Sequence, residues 1–98
     1  MFREKIKVLD CTIRDGGLIN NHDFDDRFVR AVYKALSAAG VDYMEIGYKN
    51  SKRLFSPKDF GKWKFCDDDV IEKIIEGIES DTIISIMVDV DPVDIDVV

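Results

Sequence analysis

The sequence predicts an α/β fold with a parallel sheet, built in the order β-α-β-α-β. Three observations carry this. Short runs rich in β-branched residues alternate with segments whose apolar residues recur at helical spacing, the pattern of strands joined by crossover helices. The connection from the first helix to the second strand is short, little more than Gly40, as αβ links are. The last strand-like run, residues 82–88, is apolar apart from Ser85 and its opening Thr82, which fits a strand covered on both faces.

In chain order, residues 6–13 read as the first strand, with β-branched residues around Leu9 and Asp10. Residues 14–22 follow as a loop: Gly16 and Gly17 end regular structure, and Asn20 and Asn21 continue the turn chemistry. A helix runs over about 25–39, capped by Asp25 or Asp23. Phe28, Val29, Val32, Leu36 and Ala39 form its apolar stripe, with Tyr33 beside it, and Gly40 suits the left-handed position after a helix. Residues 41–46 read as the second strand. Residues 47–66 are a long polar loop holding Pro57 and Gly61; its Phe55, Phe60, Trp63 and Phe65 are expected to pack it over one end of the sheet. A loop of that length is a candidate substrate lid. Asp67, Asp68 and Asp69 open a second helix, where negative charge complements the helix dipole. Val70, Ile71, Ile74, Ile75 and Ile78 supply its buried face. Residues 89–96 alternate acid and apolar without the glycine and distal glutamate of an EF-hand, and read as a loop towards another helix.

Composition narrows the function classes. The 98 residues carry 20 acidic and 14 basic side chains, a net charge of −6. That excess argues against nucleic acid as a partner, because phosphate binding needs a basic face. The short basic cluster at 49–53 reads as a solvated loop. No apolar run approaches the roughly 20 residues that cross a membrane, and the first residues do not read as a signal peptide. Cys11 and Cys66 form neither a CxxC pair nor a disulfide framework, so the cytoplasm is the expected compartment. Gly16 and Gly17 make neither a GxGxxG nor a P-loop fingerprint, which disfavours a nucleotide binder.

The chemistry sits at the end of the first strand, where residues 10–17 read DCTIRDGG. This resembles the first-strand pattern D-x-T-x-R-D/E-G of the DRE-TIM metallolyase superfamily. That superfamily includes 3-hydroxy-3-methylglutaryl-CoA lyase, isopropylmalate synthase and 4-hydroxy-2-oxovalerate aldolase. Asp10, Thr12, Arg14, Asp15 and Gly16 meet every fixed position. A second likeness lies in the second strand, where MEIG at 44–47 places Glu45 near the strand's C-terminal end. The resemblance spans residues 5–88 and implies the first part of a (β/α)8 barrel, with residues 1–98 as a single partial domain.

In such barrels the active site lies at the C-terminal ends of the strands. Breaking a C–C bond beside a carbonyl develops an enolate, which a divalent cation stabilises as a Lewis acid. Asp15, a hard carboxylate, suits Mg2+ or Mn2+. Arg14 can donate a fork of N–H bonds to an enolate or carboxylate oxygen. The resemblance implies the same metal and catalytic roles for these two residues. Glu45 is a further catalytic or supporting candidate. Asp10 is a substrate-binding candidate or a structural holder of the loop, and Thr12 is either barrel-facing packing or a hydrogen-bond partner. His22, the only histidine, is either a general base or a loop anchor. The superfamily's aldolases place their histidine three residues after the motif aspartate; here that residue is Leu18, so the resemblance leaves the base unassigned. Cys11 reads as a small strand residue. Cys66 lies ahead of a helix start, a setting that can lower a thiol pKa, and still reads as unreactive.

The resemblance implies further metal ligands, a His-x-His pair late in the barrel, that this sequence does not contain. It also supplies three strands where a barrel needs eight. The chain is therefore expected to be part of a longer protein or a truncated one, inactive alone and prone to self-association through open sheet edges. The reading is an aldolase or lyase acting on a 2-oxo acid or related carbonyl compound, with pyruvate as product or inhibitor, and a homo-oligomer. The alternatives are a Claisen-type synthase using acyl-CoA and a non-catalytic α/β assembly module; metal dependence separates the last from the enzymes.

Overall fold

The computed structural model describes residues 6–88. Strand β1 (Leu9–Asp10) leads into helices α1 (Thr12–Asn20) and α2 (Asp26–Ala39). Strand β2 (Tyr43–Lys49), a 3-10 turn at Lys62–Lys64, helix α3 (Asp68–Ile75) and strand β3 (Ile83–Val88) follow. The strands lie in the order β1-β2-β3 and both pairings are parallel, Leu9 opposite Tyr43 and Tyr43 opposite Ile83. The predicted α/β class and parallel sheet are therefore what forms.

α2 follows its sequence closely. The Asp25 side chain accepts the Arg27 N–H at its start, and Gly40 closes it with φ 77°. Val29 and Tyr33 are its buried residues, and Phe28, placed in the stripe by spacing, is half exposed. The core joins α2 and α3 to one face of the sheet: Val29, Tyr33, Met44, Ile46, Ile74, Trp63, Cys66 and Ile13 pack together. Arg30 adds a polar tie by donating to the carbonyls of Lys73 and Ile74, which lie in the last turn of α3 and have no partner further along the helix.

Four expectations are corrected. Residues 14–22 are not a loop: Thr12–Asn20 is helical, and both glycines lie inside it. Regular strand is confined to Leu9–Asp10 rather than 6–13. The cause is tertiary packing, since Ile13 is buried in the core and Gly17 lies against a folded-back His22. β2 starts and ends later than read, so Glu45 is its third residue. It lies level with the end of β1, because Asp10 pairs with Met44. Finally, β3 is covered on one face only. Leu9 and Ile83, in one row across the sheet with Tyr43, remain 49% and 57% exposed. The reading of residues 89–96 lies outside the described residues.

The long loop closes down on the sheet through Trp63. This side chain is fully buried and its Nε1 donates to the Phe24 carbonyl at 2.9 Å. Its own carbonyl lies against Gly47, where a Cβ would overlap it. Between Glu45 and Tyr48, β2 spends three steps against two on β3, a bulge that contains Gly47.

Candidate active site at the end of the first strand

Met44 and Ile46 point into the helical core, so Glu45 between them points to the opposite face, because strand side chains alternate. Ser85 is its register partner on β3 and donates its hydroxyl to Glu45 Oε2 at 3.4 Å. Arg14 reaches the same carboxylate from α1: Nη1 donates to Oε1 at 3.0 Å. Arg14 also grips its neighbour, with Nε and Nη2 donating to Asp15 Oδ1 at 3.2 and 3.0 Å. Arg14, Asp15 and Glu45, three residues singled out from the sequence, thus form one cluster, and Ser85 joins it.

Its electrostatics follow from burial. Glu45 is almost wholly buried, Arg14 is about a quarter exposed, and the Asp15 side chain is 64% exposed. The bond to Asp15 first, and the one to Glu45 next, push the Arg14 pKa upward, so the guanidinium is a fixed cation. A guanidinium has five N–H donors. Three are engaged here, which leaves two for an outside oxygen. Asp15 offers an exposed hard-oxygen donor, the type that Mg2+ and Mn2+ prefer. It stands as a single candidate ligand, since no group of three or more potential metal ligands occurs among the described residues.

The side chains of the other candidates make no hydrogen bond or ion pair with this cluster among the described residues. Asp10 accepts the Thr12 N–H at 3.0 Å and the Thr12 hydroxyl at 2.9 Å, tying the strand end to the start of α1. His22 is 3% exposed and stacks edge-on against Tyr48. Burial lowers its pKa, and Lys64 lowers it further. Leu18 is exposed. Cys11 is half-buried at the N-terminal boundary of α1. Cys66 is unreactive, as read from the sequence, and the helix start does not lower its pKa: burial, the dominant cause, pushes its thiol up to about 12.

Two features escaped the sequence. Ser85 had one signal, a polar residue within an apolar strand. Lys64 had none: its ammonium lies 4.2 Å from the ring centre of Phe55 and 5.1 Å from those of Phe60 and Tyr48. A hollow lined by Ser37, Asp42, Ser80 and Thr82 shares no residue with the Arg14 cluster. No helix among the described residues is long and apolar enough to cross a membrane.

No protein-family model matches the chain. Over 46 residues, 47% of this chain, it is 48% identical to an oxaloacetate decarboxylase of Mycobacterium tuberculosis, of which the match covers 13%. Over 44 residues, 45% of this chain, it is 36% identical to 4-hydroxy-2-oxovalerate aldolase 6 of Rhodococcus jostii, of which the match covers 12%. The chain thus matches only about an eighth of the length of either curated relative. Its fold matches the crystal structure of the N-terminal domain of a protein described as an aldolase, from Bacteroides vulgatus. The TM-score is 0.69 at 34% identity, over 83% of this chain and 25% of that one. These likenesses fit the N-terminal portion of a DRE-TIM-like aldolase or decarboxylase.

Proposed function

We propose that these three strands are one sector of a (β/α)8 lyase that breaks a C–C bond beside the carbonyl of a 2-oxo acid. The observation that carries this is the Arg14 cluster: a fixed cation at the end of β1, clamped by Asp15 and Glu45, with two N–H donors left over. Both curated relatives have a 2-oxo acid in their names, and both names denote C–C cleavage.

In this reading Arg14 binds the oxygen on which negative charge develops. As the bond breaks, its electron pair becomes the C=C bond of an enolate and the carbonyl π pair moves onto the oxygen. The other fragment leaves as CO2 or, its hydroxyl proton going to a base, as an aldehyde. A proton from water then returns the enolate to the keto acid. The two remaining guanidinium donors of Arg14 are already oriented, so no reorganisation is needed at that moment. Glu45 holds Nη1 of the guanidinium and Ser85 holds Glu45. Asp10 and Thr12 hold the junction between β1 and α1. Asp15 is the residue that would hold a divalent cation, together with ligands that the described residues do not supply. Such an ion, when bound, polarises the substrate oxygens as a Lewis acid.

The test is pyruvate release from oxaloacetate or 4-hydroxy-2-oxovalerate by the full polypeptide, with and without Mn2+. Arg14→Ala is expected to lower kcat by roughly 100- to 1000-fold, the cost of removing one oxyanion donor. Asp15→Asn is expected to weaken Mn2+ binding, read directly by electron paramagnetic resonance. Turnover indifferent to Mn2+ and to both substitutions would sink the reading.

A further inference from the structure

Arg14 stands on a helix that its own sequence supports poorly. α1 has nine residues, two of them glycine, and Leu18 and Ile19 on it are exposed. Each interior glycine costs about 1 kcal/mol relative to alanine. Ile13 anchors one side of α1 in the core. The far end is seated on His22.

The seat is close-fitting. The His22 N–H donates to the Gly17 carbonyl at 2.8 Å. A Cβ on Gly17 would overlap the imidazole Nδ1, so glycine is what lets the ring lie against the helix. Nδ1 is buried and has no hydrogen-bond partner among the described residues. The ring stands at 75° to Tyr48, with centroids 5.2 Å apart, and Lys64 lies over that same tyrosine. The charged and titratable groups facing His22 are therefore Lys64 from the 3-10 turn and Tyr48 from β2. Asp23 follows it in the chain, and α1 meets it through the backbone of Gly17. A proton on Nδ1 would find no acceptor and would add a second positive charge beside Lys64.

We propose that His22, as the neutral imidazole, is a positioning residue for Arg14: it seats the Gly17 end of α1 and so holds the guanidinium on Glu45 and Asp15. Gly17 lies about one helical turn beyond Arg14, so displacing the seat tilts the turn that carries the guanidinium. The catalytic consequence rests on the function proposed above; the seat itself rests on the geometry.

The experiment is a nuclear magnetic resonance titration of the full chain from about pH 8 downward until His22 has taken up its proton, which burial and Lys64 place below the ordinary histidine value of about 6.5. His22 is the sole histidine, so its imidazole signals need no disentangling. The Arg14 Nε–H signal is expected to shift with the same midpoint as His22. In His22→Phe, which keeps a ring against Tyr48 and has no proton to gain, that step is expected to vanish. His22→Gln provides the same test should the phenyl ring not fit. A His22 that titrates while Arg14 stays still overturns the proposal. So does a step that persists in His22→Phe, which assigns it to a carboxylate of the cluster. Arg14 following His22 in a polypeptide without lyase activity supports the seat and removes the functional reading.

Discussion

Arg14 and Glu45, 31 residues apart in the chain, meet at 3.0 Å between Nη1 and Oε1. The bond ties α1 to the middle of the sheet on the face opposite the helical core. It also sets an asymmetry between the two carboxylates that hold Arg14, since Glu45 is buried and Asp15 is exposed.

That asymmetry predicts unequal costs. Glu45→Ala strips Arg14 of its buried partner and is expected to destabilise the fold by about 1–3 kcal/mol, the cost of stranding a largely buried polar group. Asp15→Asn removes a solvent-screened ion pair and is expected to cost under about 1 kcal/mol. Urea midpoints followed by circular dichroism measure both. Equal effects would mean that Glu45 is not the anchor.

The two glycines of α1 are expected to differ in the same assay. A Cβ on Gly16 would lie 3.0 Å from the edge of the Phe24 ring, which can yield, whereas one on Gly17 would overlap the His22 imidazole. Gly17→Ala should therefore destabilise by about 1–3 kcal/mol through overpacking. Gly16→Ala should fall near neutral, because the gain in helix propensity of up to about 1 kcal/mol offsets the contact.

His22 makes stability depend on pH with a defined sign. Burial, and then Lys64, lower its pKa in the folded state. The unfolded chain takes up the proton first, near the ordinary value of about 6.5. Stability is therefore full above about pH 6.5 and falls as the pH drops through it, levelling once the folded state also protonates. Urea midpoints measured across this window should slope in the native sequence and flatten in His22→Phe. A midpoint that rises on acidification would reverse the assignment.

The parts of the fold that the sequence made legible are those where one local signal agrees with packing. Asp25, the apolar spacing through Leu36, and Gly40 all specify α2, and it forms within a residue of its reading. α1 was hidden because Gly16 and Gly17 signal a break locally, and only the placement of His22 and Ile13 makes a helix there favourable. The motif identified Arg14, Asp15 and Glu45, and the structure brings them together. It carried no information on Ser85, whose role depends on strand register, nor on the Lys64 cage, whose rings are spread from Tyr48 to Phe60.

The two cysteines should react very differently. Cys66 is fully buried, its Sγ donates to the Trp63 carbonyl at 3.4 Å, and burial pushes its thiol up to about 12. Only the thiolate is nucleophilic, so near pH 8 Cys66 is both protonated and inaccessible. Cys11 is half-buried at the N-terminal boundary of α1 and open to reagent. A disulfide exchange reagent is expected to label one thiol per native chain, located at Cys11 by mass spectrometry, and both thiols in denaturant. The rate at Cys66 then reports opening of the loop that Trp63 pins to the Phe24 carbonyl. Trp63→Phe removes that bond, worth about 1 kcal/mol, and should speed Cys66 labelling about fivefold if labelling follows local opening. Labelling of Cys66 as fast as Cys11 in the unaltered protein would show that the loop does not close over it.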